Sequence, residues 1–288
     1  MSLIGYPSMA VDEDFLYLVN SVGFGHELVR LAKAGGSIEV LFKDETFPDD
    51  PIALSTSAIA VDDDFVYTET FGGTVGGGKI VGIPKEGGKP AQLIFHDGSA
   101  ADDYNLINPV ALATDNSEEA SLYVLDYDRN AVLRIPKRGG KSTLVNQDPL
   151  SRSLDMVLDG DDLYVLQYNL DLGRTEVLRI LRAGGPSQLV FGDEPAPYAY
   201  NGASRLAVDE VNLYVGHVNS QEIIAIPKES GEPAQVFFNR DSDLQDANML
   251  IPARLIAGEN ALYVADPGLD AVLLIDKKTQ KSAVFLGL

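Results

Sequence analysis

Cysteine and tryptophan are absent from the chain of 288 residues, and histidine occurs only three times. The lack of cysteine excludes disulfides, thiolate metal ligands and cysteine nucleophiles. No apolar run approaches the roughly 18 residues that a membrane-spanning helix needs. The first residues also lack the basic start and the apolar stretch of a secretory signal. We therefore expect a soluble chain with no membrane span.

Basic side chains are scarce: there are 22 lysines and arginines against 43 aspartates and glutamates, and the formal net charge is −21. This field would repel a phosphate backbone, so we expect no nucleic-acid partner. Hydrophobic residues make up 45% of the chain and charged residues 23%. Such a composition is typical of a globular protein with a sizeable core, and it excludes wholesale disorder.

The strongest pattern in the sequence is a repeated block, apolar-Ala-Val-Asp-x-Asp-x-apolar-Tyr, as in residues 59–67. Six copies recur roughly every 48 residues and account for the whole chain. Their tyrosines are Tyr17, Tyr67, Tyr123, Tyr164, Tyr214 and Tyr263. A second block follows each copy, with the pattern apolar-apolar-x-Ile-Pro-Lys-x-Gly-Gly in residues 80–88 and a short apolar run after it.

Each repeat contains four segments of strand length, at 57–61, 65–69, 79–83 and 91–95 in the second copy. β-Branched and aromatic residues fill these segments, and Asp-rich stretches and Gly-Gly pairs separate them. No segment has the spacing of an amphipathic helix. The pattern predicts an all-β fold, a six-bladed β-propeller with four antiparallel strands per blade, as one domain over residues 1–288. A pair of β-sandwiches or a parallel β-helix is the alternative.

The two ends of the chain predict how the ring closes. The chain opens in an inner strand near Ser8 and finishes in an outer strand near Phe285. We therefore expect no strand exchange between the ends. Packing of the first blade against the last would close the ring.

Two stretches carry motifs typical of a known class of proteins: residues 59–62 followed by Val66-Tyr67, and residues 122–126 followed by Asn130-Ala131-Val132. Through them the sequence resembles the NHL and TolB-like class of six-bladed propellers, over nearly its whole length. The resemblance implies the fold but no single function, because this class includes enzymes, ligand binders and interaction modules. It also implies export to the periplasm or out of the cell.

The predicted topology places two kinds of loop on opposite faces. Hairpins between first and second strands are acidic, as at residues 62–64, and those between third and fourth strands carry cations such as Lys85. We expect these charges to neutralise each other, with each exposed pair contributing at most about 1 kcal/mol. The other face has connectors of variable length, where scaffolds usually carry binding groups. Five of them start with an aspartate expected to form a turn: Asp44, Asp97, Asp148, Asp193 and Asp241.

Three charged residues are predicted to lie beside the central channel. Aligning the inner strands puts Asp155, Arg205 and Arg254 of three consecutive blades at equivalent positions. An unpaired charge buried there would cost several kcal/mol, so these side chains should pair or bind something. The two arginines could form an anion or carboxylate pocket oriented by the aspartate. A salt bridge satisfied within the channel is the alternative.

A second ring of polar residues follows the six tyrosines by three positions: Asn20, Thr70, Asp126, Gln167, His217 and Asp266. With Asn108 and Asn201 near the starts of inner strands, they offer the oxygen ligands that calcium prefers, and the predicted metal ligands are Asp126 and Asp266. Related calcium-dependent propeller hydrolases use acidic and amide ligands at a channel mouth. His217 could act as a general base or as a polar lining residue.

No compact catalytic motif appears in the sequence, which favours a non-enzymatic ligand-binding or protein-interaction propeller. Its expected partner is a small polar ligand or a protein segment at the channel mouth, and the protein is expected to be monomeric. The alternative is a calcium-dependent hydrolase or lactonase-like enzyme at the same face, with Asp155 and the residues above as candidate ligands and His217 as base. A purely structural propeller within a larger secreted polypeptide is the third hypothesis.

Overall fold

The computed structural model describes residues 4–22, 25–44, 53–71, 78–96, 106–115, 121–192, 203–228, 233–239 and 251–287. None of these residues is helical, and none belongs to a helix able to cross a membrane. The chain forms 24 strands in six separate sheets of four strands each. Each sheet is a meander of consecutive antiparallel strands, as the repeat predicted.

The strands of the first three blades are β1 (Ile4–Val11), β2 (Phe15–Val22), β3 (Gly25–Ala32), β4 (Glu39–Lys43), β5 (Ala53–Val61), β6 (Phe65–Phe71), β7 (Lys79–Pro84), β8 (Gln92–His96), β9 (Pro109–Thr114), β10 (Ser121–Asp126), β11 (Ala131–Pro136) and β12 (Thr143–Leu144). The strands of the last three blades are β13 (Arg152–Asp159), β14 (Asp162–Asn169), β15 (Arg174–Leu181), β16 (Gln188–Gly192), β17 (Ala203–Val208), β18 (Asn212–His217), β19 (Glu222–Pro227), β20 (Gln235–Asn239), β21 (Arg254–Ala257), β22 (Ala261–Asp266), β23 (Ala271–Asp276) and β24 (Ser282–Gly287).

The second strand of each blade lies deepest in the protein. All six residues of β10 and all six of β22 are buried, because neighbouring sheets cover both of their faces. This burial explains why the sequences of these strands contain consecutive apolar residues and do not alternate between apolar and polar ones. The outer strands are more open to solvent, and Leu93 and Leu189 are exposed there.

Aspartates and glycines form the turns between strands. The Asp62 carboxylate accepts bonds from the backbone N–H groups of Asp64 and Phe65, at 2.9 and 2.8 Å, which is an Asx turn. The Gly-Gly pair at Gly35 and Gly36 has φ values of 87° and 137°, a conformation that other residues rarely adopt. The repeat thus encodes locally the hairpin between its first and second strands and the hairpin between its third and fourth strands.

The six inner strands surround a central axis, and β1 lies next to β21. Blade one and blade six keep separate sheets in the described chain, so the ends exchange no strand. Met9 and Leu16 of the first blade pack with Tyr263 and Val272 of the last in one buried cluster. The predicted closure by packing is confirmed.

Ion pairs between blades cross the face that carries the acidic hairpins. In each case a cation from the third-to-fourth hairpin binds the aspartate of the preceding blade at 2.5 to 2.8 Å: Lys85–Asp12, Lys137–Asp62, Arg182–Asp115, Lys228–Asp159 and Lys277–Asp209. The predicted neutralisation is confirmed, but the expectation that these ion pairs would be exposed to solvent was wrong. The side chains of Lys137 and Asp62 are only 9% and 10% exposed, since each pair lies in the seam between two blades.

The seam between blade six and blade one lacks this ion pair. Gly258 stands where the other blades have the aspartate, and Lys33 is the equivalent cation. Lys33 forms no ion pair with any described residue. The closing seam therefore depends on apolar packing, including the edge-to-face contact of Tyr263 and Phe285 at 5.3 Å.

Candidate functional site

The inner strands enclose a channel cavity of about 250 Å³. Its lining is mostly apolar, with Ala58 and Ala111 among its members, and Ser8 is one of its few polar residues. Among the described lining residues only Asp155 and Arg254 are charged. Arg254 is the first residue of β21, whereas Asp155 lies midway along β13.

Arg254 reaches from blade six to blade two. Its Nη2 donates to the carbonyl oxygens of Thr56 and Ser57, at 3.1 and 2.8 Å. Its Nε and Nη1 groups make no hydrogen bond within the described part of the chain. Arg254 therefore has a fixed position and N–H donors left over for a ligand in the cavity.

Asp155 is held in place by backbone donors. Its Oδ1 accepts a bond from Met156 N at 2.9 Å, and its Oδ2 accepts one from Leu206 N of the next blade at 2.9 Å. Burial raises the pKa of the Asp155 carboxyl to about 6, while the Arg205 charge and these two backbone bonds act to lower it. Asp155 is thus mostly ionised at neutral pH and close to its titration range.

Arg205 has a different position from the one that a two-arginine pocket requires. Its Nε donates to the Ala253 carbonyl at 2.8 Å, directly before Arg254 in sequence. Arg254 lines the cavity and Arg205 is not part of the lining. Arg205 therefore acts on the site by holding the backbone that carries Arg254.

Three of the six members of the polar ring, Asp126, Gln167 and Asp266, accept bonds from backbone N–H groups. Asp126 accepts from Ile107 N at 2.7 Å and from Arg129 N at 3.2 Å. Asp266 accepts from Ile251 N and Gly268 N, both at 2.9 Å. In each case the side chain ties the incoming connector to the second strand.

Asp126 and Asp266, the two predicted metal ligands, end the second strands of blades three and six. Burial raises the pKa of Asp266, against the lowering effect of its backbone bonds. The described residues contain no group of three or more acidic or histidine side chains that could hold a metal ion.

The remaining candidates lie around the mouth. His217 ends β18, opposite Ala203, and is half-buried. Asn108 precedes β9, and its carbonyl accepts a bond from Tyr127 N at 2.9 Å. Asn201 lies outside the described residues.

Two of the predicted turn aspartates are described, and both bind backbone. Asp44 accepts from Leu54 N at 2.9 Å, and Asp148 accepts from Ser187 N at 2.7 Å. These partners lie 10 and 39 residues away along the chain, so the two aspartates join distant segments and these bonds do not form the predicted turns. Asp97, Asp193 and Asp241 lie outside the described residues.

Glu69 was missed by the sequence analysis. It is buried in β6 with 2% exposure, and burial raises the pKa of its carboxyl to about 7. The position two residues after the repeat tyrosine is uncharged in the other blades: Val19, Leu125, Leu166, Gly216 and Ala265. A register comparison of the six repeats at this position would have found Glu69.

No protein-family model matches the sequence, and no curated protein is significantly similar to it. Solved structures do share its architecture. A chain of the nidogen/laminin complex aligns with a TM-score of 0.65 and 14% identity, covering 89% of this chain and 88% of that one. An auxiliary nutrient binding protein from Bacteroides thetaiotaomicron aligns with a TM-score of 0.64 and 14% identity, covering 94% of this chain and 68% of that one.

A third similar structure is the PQQ-bound aldose sugar dehydrogenase from Streptomyces coelicolor. Its TM-score is 0.61 at 14% identity, and the alignment covers 94% of this chain and 91% of that one. Identities this low establish a shared fold and no shared activity. The chain is therefore a six-bladed β-propeller, and it shares this fold with these proteins.

Proposed function

We propose that the protein is a non-enzymatic binding module that takes a small anionic ligand, such as a carboxylate, at the channel mouth. The observation that carries this proposal is the pair of opposite charges in one cavity: Arg254 and Asp155 are the charged members of an otherwise uncharged described lining. Scaffolds with fixed walls and a few placed polar groups are typical of small-molecule sites.

Each charged residue has a distinct part in this proposal. The free N–H groups of Arg254 would bind the carboxylate of the ligand, because a planar guanidinium matches that group. Asp155 would accept a hydrogen bond from a donor elsewhere on the ligand. The cavity of about 250 Å³ has room for roughly eight waters, so the ligand is small.

The test is a thermal-shift screen of small carboxylates, followed by titration calorimetry of any that stabilise the protein. A ligand at one hundred times its dissociation constant should raise the free energy of unfolding by about 2.7 kcal/mol. Arg254→Met should weaken binding at least about tenfold, since a charge-assisted pair is lost. Arg179→Met is the control, because Arg179 pairs with Asp162 on the outer part of blade four.

The alternative of a calcium-dependent hydrolase makes a different prediction. A calcium ion bound by Asp126 or Asp266 should raise the melting temperature, and EDTA should reverse that effect. The backbone N–H groups that already bind both carboxylates argue for the binding module. A melting temperature that is the same in calcium and in EDTA, together with carboxylate binding that depends on Arg254, would support it further.

A further inference from the structure

Glu69 is a charged residue at a repeat position where the other five blades have uncharged residues. Tyr67 packs against blade three in a cluster with Leu122 and Val124, and Glu69, two residues along the same strand, faces the same way. Its Oε2 is buried and has no hydrogen-bond partner in the described chain. Burying a carboxyl oxygen without a hydrogen-bond partner lowers the free energy of unfolding. The presence of such a group in one blade of six therefore suggests a function for it.

The charged groups around Glu69 can be named strand by strand. The neighbouring strands β5 and β9 carry none, and β7 carries Lys79, which pairs in register with Thr70. The carboxylate of Asp126 in β10 lies close enough to disfavour a second negative charge, and the Ser55 hydroxyl bonds to Glu69. These surroundings favour the protonated form of Glu69 and make its ionisation sensitive to nearby charge.

A bulge connects Glu69 to the channel. In β5, Leu54 pairs with Thr70 and Ile59 pairs with Thr68, so residues 55–58 oppose Glu69 alone. Thr68 Oγ1 lies within bonding distance of the carbonyl oxygens at both ends of this bulge, 3.3 Å from Ser55 O and 3.0 Å from Ala58 O.

Arg254 holds the same bulge from the channel side. The carbonyl groups that it binds are those of Thr56 and Ser57, which directly follow Ser55. The buried carboxyl and the guanidinium of the channel therefore contact the same four-residue segment. Irregular segments of this kind are common beside functional sites.

We propose that the channel mouth binds its anionic ligand together with a proton carried on Glu69. This inference rests on the proposed function, because the ligand is the anion that Arg254 would bind. An ionised Glu69 would place a second negative charge behind the bulge and repel the anion. A bound anion would in turn favour protonation of Glu69 by the same factor, as linkage between two sites requires.

The test uses inorganic sulfate as the probe, since its charge does not change over the pH range concerned. Sulfate affinity of the full chain is measured by titration calorimetry at about pH 5.5 and about pH 8.5, on either side of the Glu69 titration. Asp155 titrates in the same range, so the comparison is with Glu69→Gln, which keeps Asp155 and mimics a protonated glutamate. We expect affinity to fall between the two pH values at least about fivefold more in the parent than in Glu69→Gln.

Control variants and a second measurement complete the test. Asp128→Asn removes an exposed charge from blade three on the same face and should keep the pH dependence of the parent. If Glu69→Gln does not fold, proton uptake is measured from binding heats in two buffers with different ionisation enthalpies. The proton uptake that accompanies sulfate binding near pH 7 should then persist in the Asp155→Asn variant.

The outcomes separate this inference from the proposed function. Equal pH dependence in the parent and Glu69→Gln, or no proton uptake in Asp155→Asn, overturns the proton coupling and leaves the anion site standing. Absence of Arg254-dependent sulfate binding at either pH overturns both proposals. A pH dependence that Glu69→Gln reduces and Asp128→Asn leaves unchanged supports both.

Discussion

The Nζ of Lys137 lies 2.7 Å from Oδ2 of Asp62 in the preceding blade. The Tyr67 hydroxyl donates to the same oxygen at 2.7 Å, and the Lys137 ammonium lies over the Tyr67 ring, 5.2 Å from its centre. Burial acts to raise the pKa of Asp62, but the bonds from Lys137, Tyr67 and the backbone outweigh it and lower the pKa. One carboxylate thus joins a turn, a core tyrosine and the next blade.

Replacing Lys137 with methionine should weaken the fold substantially. The substitution leaves the largely buried Asp62 without its cation, and we expect a loss of about 2 to 3 kcal/mol in the free energy of unfolding. Denaturant unfolding measures this loss. Lys89→Met, which breaks the exposed pair with Glu86, is the matched control and should cost less than about 0.5 kcal/mol. Losses of equal size in the two variants would contradict the role of the seam.

The seam between blades six and one lacks the ion pair, so there a substitution can add the missing carboxylate. An ideal Cβ at Gly258 would lie 3.0 Å from Cε2 of Tyr263, so Gly258→Ala should destabilise the protein. Gly258→Asp meets the same contact but supplies the carboxylate that the other five seams have. We expect the aspartate variant to be about 1 kcal/mol more stable than the alanine variant. Unfolding in the Lys33→Met background is the check, because the difference should vanish there.

Glu69 should make the stability of the protein depend on pH. Burial raises the pKa of Glu69 to about 7, from 4.5 in the unfolded chain. Its favourable contribution is therefore complete below about pH 4.5 and is lost as the pH rises through about 7.

Glu69→Gln should remove this dependence. We expect the variant to be more stable than the parent above about pH 7, by up to about 3 kcal/mol, with the advantage shrinking to nothing near pH 4.5. Thermal unfolding across this range measures the difference. Glu222→Gln serves as the control. A constant difference at every pH would show that the substitution acts by some effect other than titration.

Asp126→Asn should destabilise blade three whether or not calcium is present. Asparagine keeps one acceptor oxygen and turns its NH₂ group toward backbone donors, so we expect a loss of about 1 to 3 kcal/mol. Melting temperatures in EDTA and in calcium measure the effect, with Asp128→Asn as the exposed control. A loss that appears only in calcium would identify Asp126 as a metal ligand and contradict the structural role.

The sequence predicted the equivalence of positions within the repeat but not the direction of the side chains. Arg254 lines the channel cavity and reaches past blade one to Ser57 O, whereas Arg205 is outside that lining and binds Ala253 O. These partners lie about 200 and 50 residues away along the chain, so no local pattern could indicate them. The same holds for Glu69, whose surroundings come from blade three.

Periodicity alone determined the number of blades, the strands of each blade and the way the ring closes, because turn chemistry and strand patterning are local and repeat six times. The tertiary structure decided which charges are buried, which carboxylates accept backbone N–H groups, and which two charged residues share the channel. Those properties depend on packing between blades. Residues distant in sequence meet at the seams, so the sequence of one repeat does not show whether its aspartate is solvated or buried.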